Sequence, residues 1–225
     1  MADEGLQLDP RQTALIMVDM QNDFCHPEGF FIRNRDLLTP IGIEPRLIAA
    51  SIGTMRELLV AAREAGLFIA HTQIVQDPDS FNQPKTLHRM INRTYAAYQD
   101  APGPAPILPG SWGAATCDDL APLPGEYLVL KSGSSSFYQT DLEMVLRRRE
   151  IGAVIVAGTI TYACVLHTAL DAVARDLDVV IPSDAVASWA PDLQEPTLRI
   201  ADLIVGAVVP TSELLKILNG ARVAR

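Results

Sequence analysis

Asp19, Lys131 and Cys164 stand far apart in the chain, and their types can do chemistry together. Cys164 closes the run Gly158-Thr159-Ile160-Thr161-Tyr162-Ala163-Cys164, just after the apolar stretch Ala153-Val154-Ile155-Val156-Ala157. Residues 165–175 read as a helix. A cysteine where a buried strand turns into a helix N-terminus is placed to be a thiolate. Unpaired N–H groups and the helix dipole favour an anion there and can hold an oxyanion. Asp19 follows the apolar run 13–18, and Lys131 follows the run 127–130. In open parallel sheets, ligands bind outside the carboxyl ends of the strands, so the three residues would meet on one edge. A carboxylate can take the thiol proton, an ammonium can stabilise the thiolate, and the sulfur can then attack an acyl carbon.

The elements that must position this trio can be read from the hydrophobic pattern. Strands are expected at 13–18, 67–70, 127–130, 153–157, 178–181 and 204–209. Ile48, Ile52, Met55, Leu59 and Ala62 recur at helical spacing, with Gly66 as a stop. Thr140 and Glu143 form a capping box for a helix carrying Leu142, Val145 and Leu146 inward. Val165, Ala169 and Val173 give the next helix its buried face, and residues 212–218 form a last helix before Gly220. Uninterrupted apolar strands alternating with helices imply an α/β fold, a three-layer α/β/α sandwich around a mainly parallel sheet of about six strands. The whole chain, 1–225, reads as one domain. Residues 74–112, rich in proline and with one helix-like piece at 85–98, break the rhythm as an insertion. Such an insertion serves as a substrate lid, a subunit contact or a plain surface excursion.

Composition excludes several classes. The net charge of −9 argues against nucleic acid or an anionic membrane as the main partner. No apolar run approaches the roughly 20 residues that span a bilayer. The first residues are acidic and polar, unlike a secretory signal. Three cysteines, Cys25, Cys117 and Cys164, at no metal-ligand spacing fit a reduced, cytoplasmic protein. No Gly-x-Gly-x-x-Gly turn follows the first strand, so no cofactor is indicated.

The residues Ala14-Leu15-Ile16-Met17-Val18-Asp19-Met20-Gln21-Asn22-Asp23-Phe24 carry a resemblance to the isochorismatase-like cysteine hydrolase superfamily. It continues through His71-Thr72-Gln73, Lys131 with Ser136-Phe137 and Thr140-Asp141-Leu142, and Gly158-x-x-Thr161-x-x-Cys164-Val165 with Thr168-Ala169 and Asp171-Ala172. The likeness spans about 13–218. It implies Asp19 as general base, Lys131 as electrostatic partner and Cys164 as nucleophile. It also implies a non-proline cis peptide at Ile160–Thr161, with backbone at Ile160 and Thr161 and the Cys164 N–H forming an oxyanion site. The reaction implied is hydrolysis of a small amide, carbamoyl or ureido C–N bond through a thioester, in a homo-oligomer.

Departures from the family narrow this. Nicotinamidase-type members resemble the chain but carry an Asp-x-His metal motif after the second strand. The corresponding His71-Thr72-Gln73-Ile74-Val75-Gln76-Asp77 lacks that spacing, so no catalytic metal is expected. Pro109-Gly110-Ser111-Trp112-Gly113-Ala114 and Pro124-Gly125-Glu126 look most like the ureidoacrylate and biuret hydrolase branch. Tyr162-Ala163 stands where the family commonly has Asn-Val, and Leu166-His167 where it often has Glu-Ser. Phe24, Trp112, Phe137 and Tyr162 are pocket candidates, with core or interface packing as the alternative for each. The four histidines, His26, His71, His88 and His167, fit structural or exposed positions better than a metal site. Two other functions stay open at this point. One is an isochorismatase-type vinyl-ether hydrolysis that uses Asp19 as acid and does not need Cys164. The other is a non-catalytic binding protein of the same fold.

Overall fold

A computed structural model describes residues 6–37, 39, 42–76, 101 and 103–223. The expected helix at 85–98, His88 and most of the insertion lie outside the described residues. The chain opens with β1 (Thr13–Val18), the short helices α1 (Asn22–Cys25) and α2 (Phe30–Arg33), then α3 (Ile52–Ala65) and β2 (Phe68–Ile74). After the insertion come β3 (Tyr127–Lys131), α4 (Leu142–Arg148) and β4 (Ala153–Thr159). A π-helical turn (Thr161–Val165) leads into α5 (Leu166–Val173). Then follow β5 (Asp178–Pro182), β6 (Val186–Ala187), α6 (Pro191–Ile204), β7 (Ala207–Val209) and α7 (Thr211–Val223).

The strands form one parallel sheet in the order β3-β2-β1-β4-β5-β7, with the two-residue β6 added beside the end of β4. The alternation along each central strand divides the core into two halves. Leu15 and Met17 of β1 and Ile155 and Ala157 of β4 pack with Met55, Leu58, Leu59 and Ala62 of α3 and Leu214 and Leu218 of α7. Ala14, Ile16, Val18, Val154 and Val156 face the other way, toward Leu142 and Leu146 of α4, Ala169 and Ala172 of α5 and Leu198 of α6. This period-two division is why the central strands are apolar throughout: both faces are covered.

Several expectations need correction. Ile204 ends α6, and the last strand begins only at Ala207. Val173 is 39% exposed, and Ala172 takes the inward position beside Ala169. The helix after the cysteine ends at Val173, short of residue 175. Asp141, not Thr140, precedes α4, with no side-chain cap. The Thr140 hydroxyl donates to the Ser136 carbonyl at 2.6 Å and accepts the Leu142 N–H at 3.4 Å, while Glu143 pairs with Arg147 and Arg175. Cys25 ends α1. Gly66 does end α3, at φ +77.

Gly158 sets how closely the two central strands converge. It pairs with Val18, has φ +114, and a Cβ added there would come within 2.2 Å of the Val18 carbonyl oxygen. Only glycine allows that approach. It brings the end of β4, and the turn carrying Cys164, against the end of β1, which delivers Asp19.

Candidate active site

Asp19 is the first residue past β1 and adopts φ +48, a left-handed conformation that Asp tolerates better than most residues. Its backbone N–H donates to the carbonyl and the hydroxyl of Thr72, each at 3.2 Å. The Thr72 hydroxyl in turn donates to Asp19 Oδ1 at 2.6 Å. Lys131 Nζ lies 2.7 Å from Asp19 Oδ2, and both side chains are almost wholly buried. The same ammonium donates to the carbonyls of Ser134 (2.8 Å) and Gly133 (3.1 Å). Lys131 is thereby a fixed charge rather than a mobile donor. The bend 132–135 exists to bring two carbonyls back over their own lysine.

The loop after Lys131 is tied down from the nucleophile's side. The Ser136 N–H donates to the Thr168 hydroxyl at 3.0 Å, and the two hydroxyls are 2.9 Å apart. Thr168 lies one turn past Cys164, so this contact links the lysine loop to the cysteine helix. The chain after Asp19 is held as firmly. The Gln21 amide donates to the carbonyls of Ile74 and Ala114 and accepts the Ile74 N–H. Asn22 donates to the Trp112 carbonyl, and the Asp23 carboxylate accepts the N–H groups of Phe30 and Ile107.

Cys164 is buried at 9% exposure, with its thiol beside both Asp19 and Lys131. Burial pushes the thiol up to about 12; the Lys131 charge pulls it down, and the Asp19 carboxylate pushes it up again. This corrects the expectation of a resting thiolate. Removing water costs the anion more than the neighbouring cation and the helix start return. The sulfur therefore rests as S–H beside a carboxylate able to take its proton. Burial alone would pull the Lys131 ammonium down, but the Asp19 charge leads the effects that oppose it, and the group is held above its usual value.

The turn before Cys164 departs from expectation by one peptide. The cis bond joins Thr159 to Ile160, not Ile160 to Thr161. Strand pairing runs through Thr159 and helical backbone starts at Thr161, so Ile160 is the one residue that links them. The Ile160 carbonyl accepts the N–H groups of Ala163 (2.9 Å) and Val165 (3.2 Å). It passes over the Cys164 N–H that lies between them. Thr161 is buried, and its hydroxyl donates to the Gln194 side chain at 2.8 Å.

The other pocket candidates separate. Tyr162 is half-buried; burial, then the charges of Asp192 and Cys164, push its phenol up, which places it within electrostatic reach of the sulfur. Phe24 stacks on Phe31 at 5.1 Å and lies 5.6 Å from the Trp189 ring, in the core against which Ile160 packs. Phe137 is buried in the half of the core that holds Cys164, with the Arg175 guanidinium 4.8 Å above its ring. Trp112 is 53% exposed and meets His26 edge-on. His167 is exposed, its Nδ1 2.9 Å from the Ala163 carbonyl. His71 is fully buried against Glu126, which also binds Arg63. Among the described residues no His, Cys, Asp and Glu side chains cluster as a metal site would require.

Sequence reasoning gave Thr72 no role, although it lay within a quoted motif. In the sheet it stands in register with Val129, two residues before Lys131, a placement the sequence does not show. Thr72→Val removes the hydroxyl that orients one Asp19 oxygen and should lower kcat about 10- to 100-fold with KM little changed. Thr72→Ser should restore most of the loss. Steady-state kinetics on the three proteins checks this; an equal loss in the serine variant would reduce Thr72 to a packing residue.

Residues 13–213 match the family model described as the Isochorismatase domain. The chain is 28% identical over 229 residues to the ureidoacrylate amidohydrolase RutB of Agrobacterium fabrum, covering 97% of this chain and 95% of that protein. Among solved structures, a cysteine hydrolase from Pseudomonas syringae pv. phaseolicola superposes with a TM-score of 0.80 at 26% identity, over 96% of this chain and 97% of the other. The N-carbamoylsarcosine amidase of Thermoplasma acidophilum superposes at 0.67 with 25% identity, over 89% and 96%.

Proposed function

The chain belongs to the isochorismatase domain family and is a hydrolase of non-peptide C–N bonds, and from that premise we propose that Cys164 cleaves a small carbamoyl or ureido substrate through a thioester. The observation that carries this reading is the buried contact of the Cys164 thiol with Asp19 and Lys131. As the sulfur attacks the carbonyl carbon, its proton passes to the Asp19 carboxylate, which is held at both oxygens. The tetrahedral oxyanion is met by backbone N–H groups at Thr161 and Cys164. Asp19 then gives the proton to the leaving nitrogen, and an amine or ammonia departs. Water attacks the thioester with Asp19 again as base, releasing the acid and the thiol. Lys131 balances the charge that develops on sulfur. The names of the relatives, a ureidoacrylate amidohydrolase and an N-carbamoylsarcosine amidase, support the substrate class.

The test is a panel of small ureides, carbamoyl amino acids and simple amides scored by ammonia release, with quenched samples read by mass spectrometry. A ureide or carbamoyl compound should be turned over and leave an acyl mass on the Cys164 peptide. Turnover with the label on no cysteine would overturn the thioester route.

We also propose a homo-oligomer. Leu193, Ile200, Leu203 and Ile204 share one face of α6, and the last two are 68% and 64% exposed. An apolar stripe of this kind is costly to leave in water. Light scattering should give a multiple of the chain mass, and Leu203→Asp with Ile204→Asp should give one chain mass. Three free thiols support a reducing compartment, the cytoplasm. Among the described residues no helix is long and apolar enough to cross a membrane.

A further inference from the structure

Two cysteines remain that this chemistry does not use. Cys25 ends α1, and Cys117 follows the far end of the insertion, 92 positions later in the sequence. The backbone brings them together. Gln21 and Thr116 form an antiparallel bridge, flanked by hydrogen bonds from Cys117 N to Met20 O (2.8 Å) and from Asn22 N to Ala115 O (2.9 Å). Cys25 lies one helical turn past Gln21, and its sulfur donates to the Gln21 carbonyl at 3.0 Å. Both side chains belong to one core cluster, at 3% and 5% exposure, and both thiols are free.

We propose that Cys25 and Cys117 form an oxidisable dithiol, which a hydroperoxide converts into a disulfide across the Gln21–Thr116 bridge. The two thiols lie close enough to perturb each other, and their contact works in opposite directions on them. It pushes Cys25 up and pulls Cys117 down, with the Leu120 N–H also favouring the Cys117 anion. Cys117 is therefore the attacking sulfur and Cys25 the resolving one. The Cys117 thiolate attacks the terminal peroxide oxygen; an S–O bond forms, the O–O bond breaks, and the departing oxygen leaves as water or an alcohol with the Cys117 proton. Cys25 sulfur then attacks the sulfenic sulfur. An S–S bond forms, the S–O bond breaks, and hydroxide takes the Cys25 proton to leave as water. Two thiols lose two electrons, and the peroxide is reduced by two. The new bond would lock α1 to the stretch 107–117, beside the loop that carries Asp19.

The experiment uses the full chain as Cys164→Ala, so that neither the catalytic thiol nor turnover enters the result. Treatment with hydrogen peroxide should lower the intact mass by about 2 Da, reversibly with a dithiol reductant. Non-reducing digestion should join the Cys25 and Cys117 peptides. In the same background, Cys25→Ser should leave a sulfenic acid on Cys117 that a dimedone probe captures, and Cys117→Ser should leave Cys25 unlabelled. Added oxygen without a joined peptide overturns the proposal. So does an unchanged protein in a tube where added glutathione is fully oxidised. Both readings come from the Cys164→Ala protein itself, so they stand even if a serine variant fails to fold.

Discussion

Cys164→Ala should lower kcat by about four to six orders of magnitude, the loss seen when a nucleophile that acts as one unit with its base is removed. The fold should hold, because the side chain is small and alanine fills most of its space. The same variant separates the thioester route from a vinyl-ether hydrolysis that uses only Asp19; full turnover without the sulfur would sink the nucleophile assignment. Alkylation is a poorer test than it first seems. A buried thiol raised to about 12 reacts slowly with iodoacetamide at neutral pH even in an active enzyme. Slow labelling is thus expected here, and the acyl mass trapped during turnover is the discriminating readout. The alanine variant should also change the alkaline limb of stability. The thiol is raised from 9.0 to about 12 in the folded chain. Its environment therefore contributes stability that is fully present below pH 9 and lost as pH rises toward 12. Urea midpoints across that window should fall less steeply for Cys164→Ala than for the parent.

The sequence made the trio legible because each member ends a strand, and parallel strands end on one edge. It also gave the two-sided core, since β1 is apolar from Ala14 to Val18 and β4 from Ala153 to Ala157. What stayed hidden depended on packing partners. The short helix-forming signal of Pro191, well suited to a first helical position, was masked by Pro196 inside the same stretch, so α6 went unread. Ile204 was placed in a strand because a run of apolar residues fits either element until neighbours decide. The resting state of Cys164 was misread for a different reason. A helix start is visible in sequence, but the degree of desolvation is not, and desolvation is the larger effect here. Thr72 likewise needs three dimensions, since its partner Asp19 lies 53 positions away.

Lys131→Met should be the most damaging change to stability as well as to activity. The ammonium is fully buried and bonded to Asp19, Gly133 and Ser134, so its loss leaves a buried carboxylate and two carbonyls without their partner. Removing one member of a buried pair costs about 3–5 kcal/mol. Chemical denaturation should show a lower urea midpoint at an unchanged slope. Activity should fall by at least about 1,000-fold, because the charge developing on sulfur is unopposed. Adding Asp19→Asn removes the orphaned charge. The double variant should regain most of the lost stability and none of the activity. That combination is the signature of a charge pair kept for chemistry rather than for folding. If the second substitution restores no stability, the damage comes from the two unsatisfied carbonyls of the 132–135 bend, and Lys131 is then chiefly the device that folds that bend.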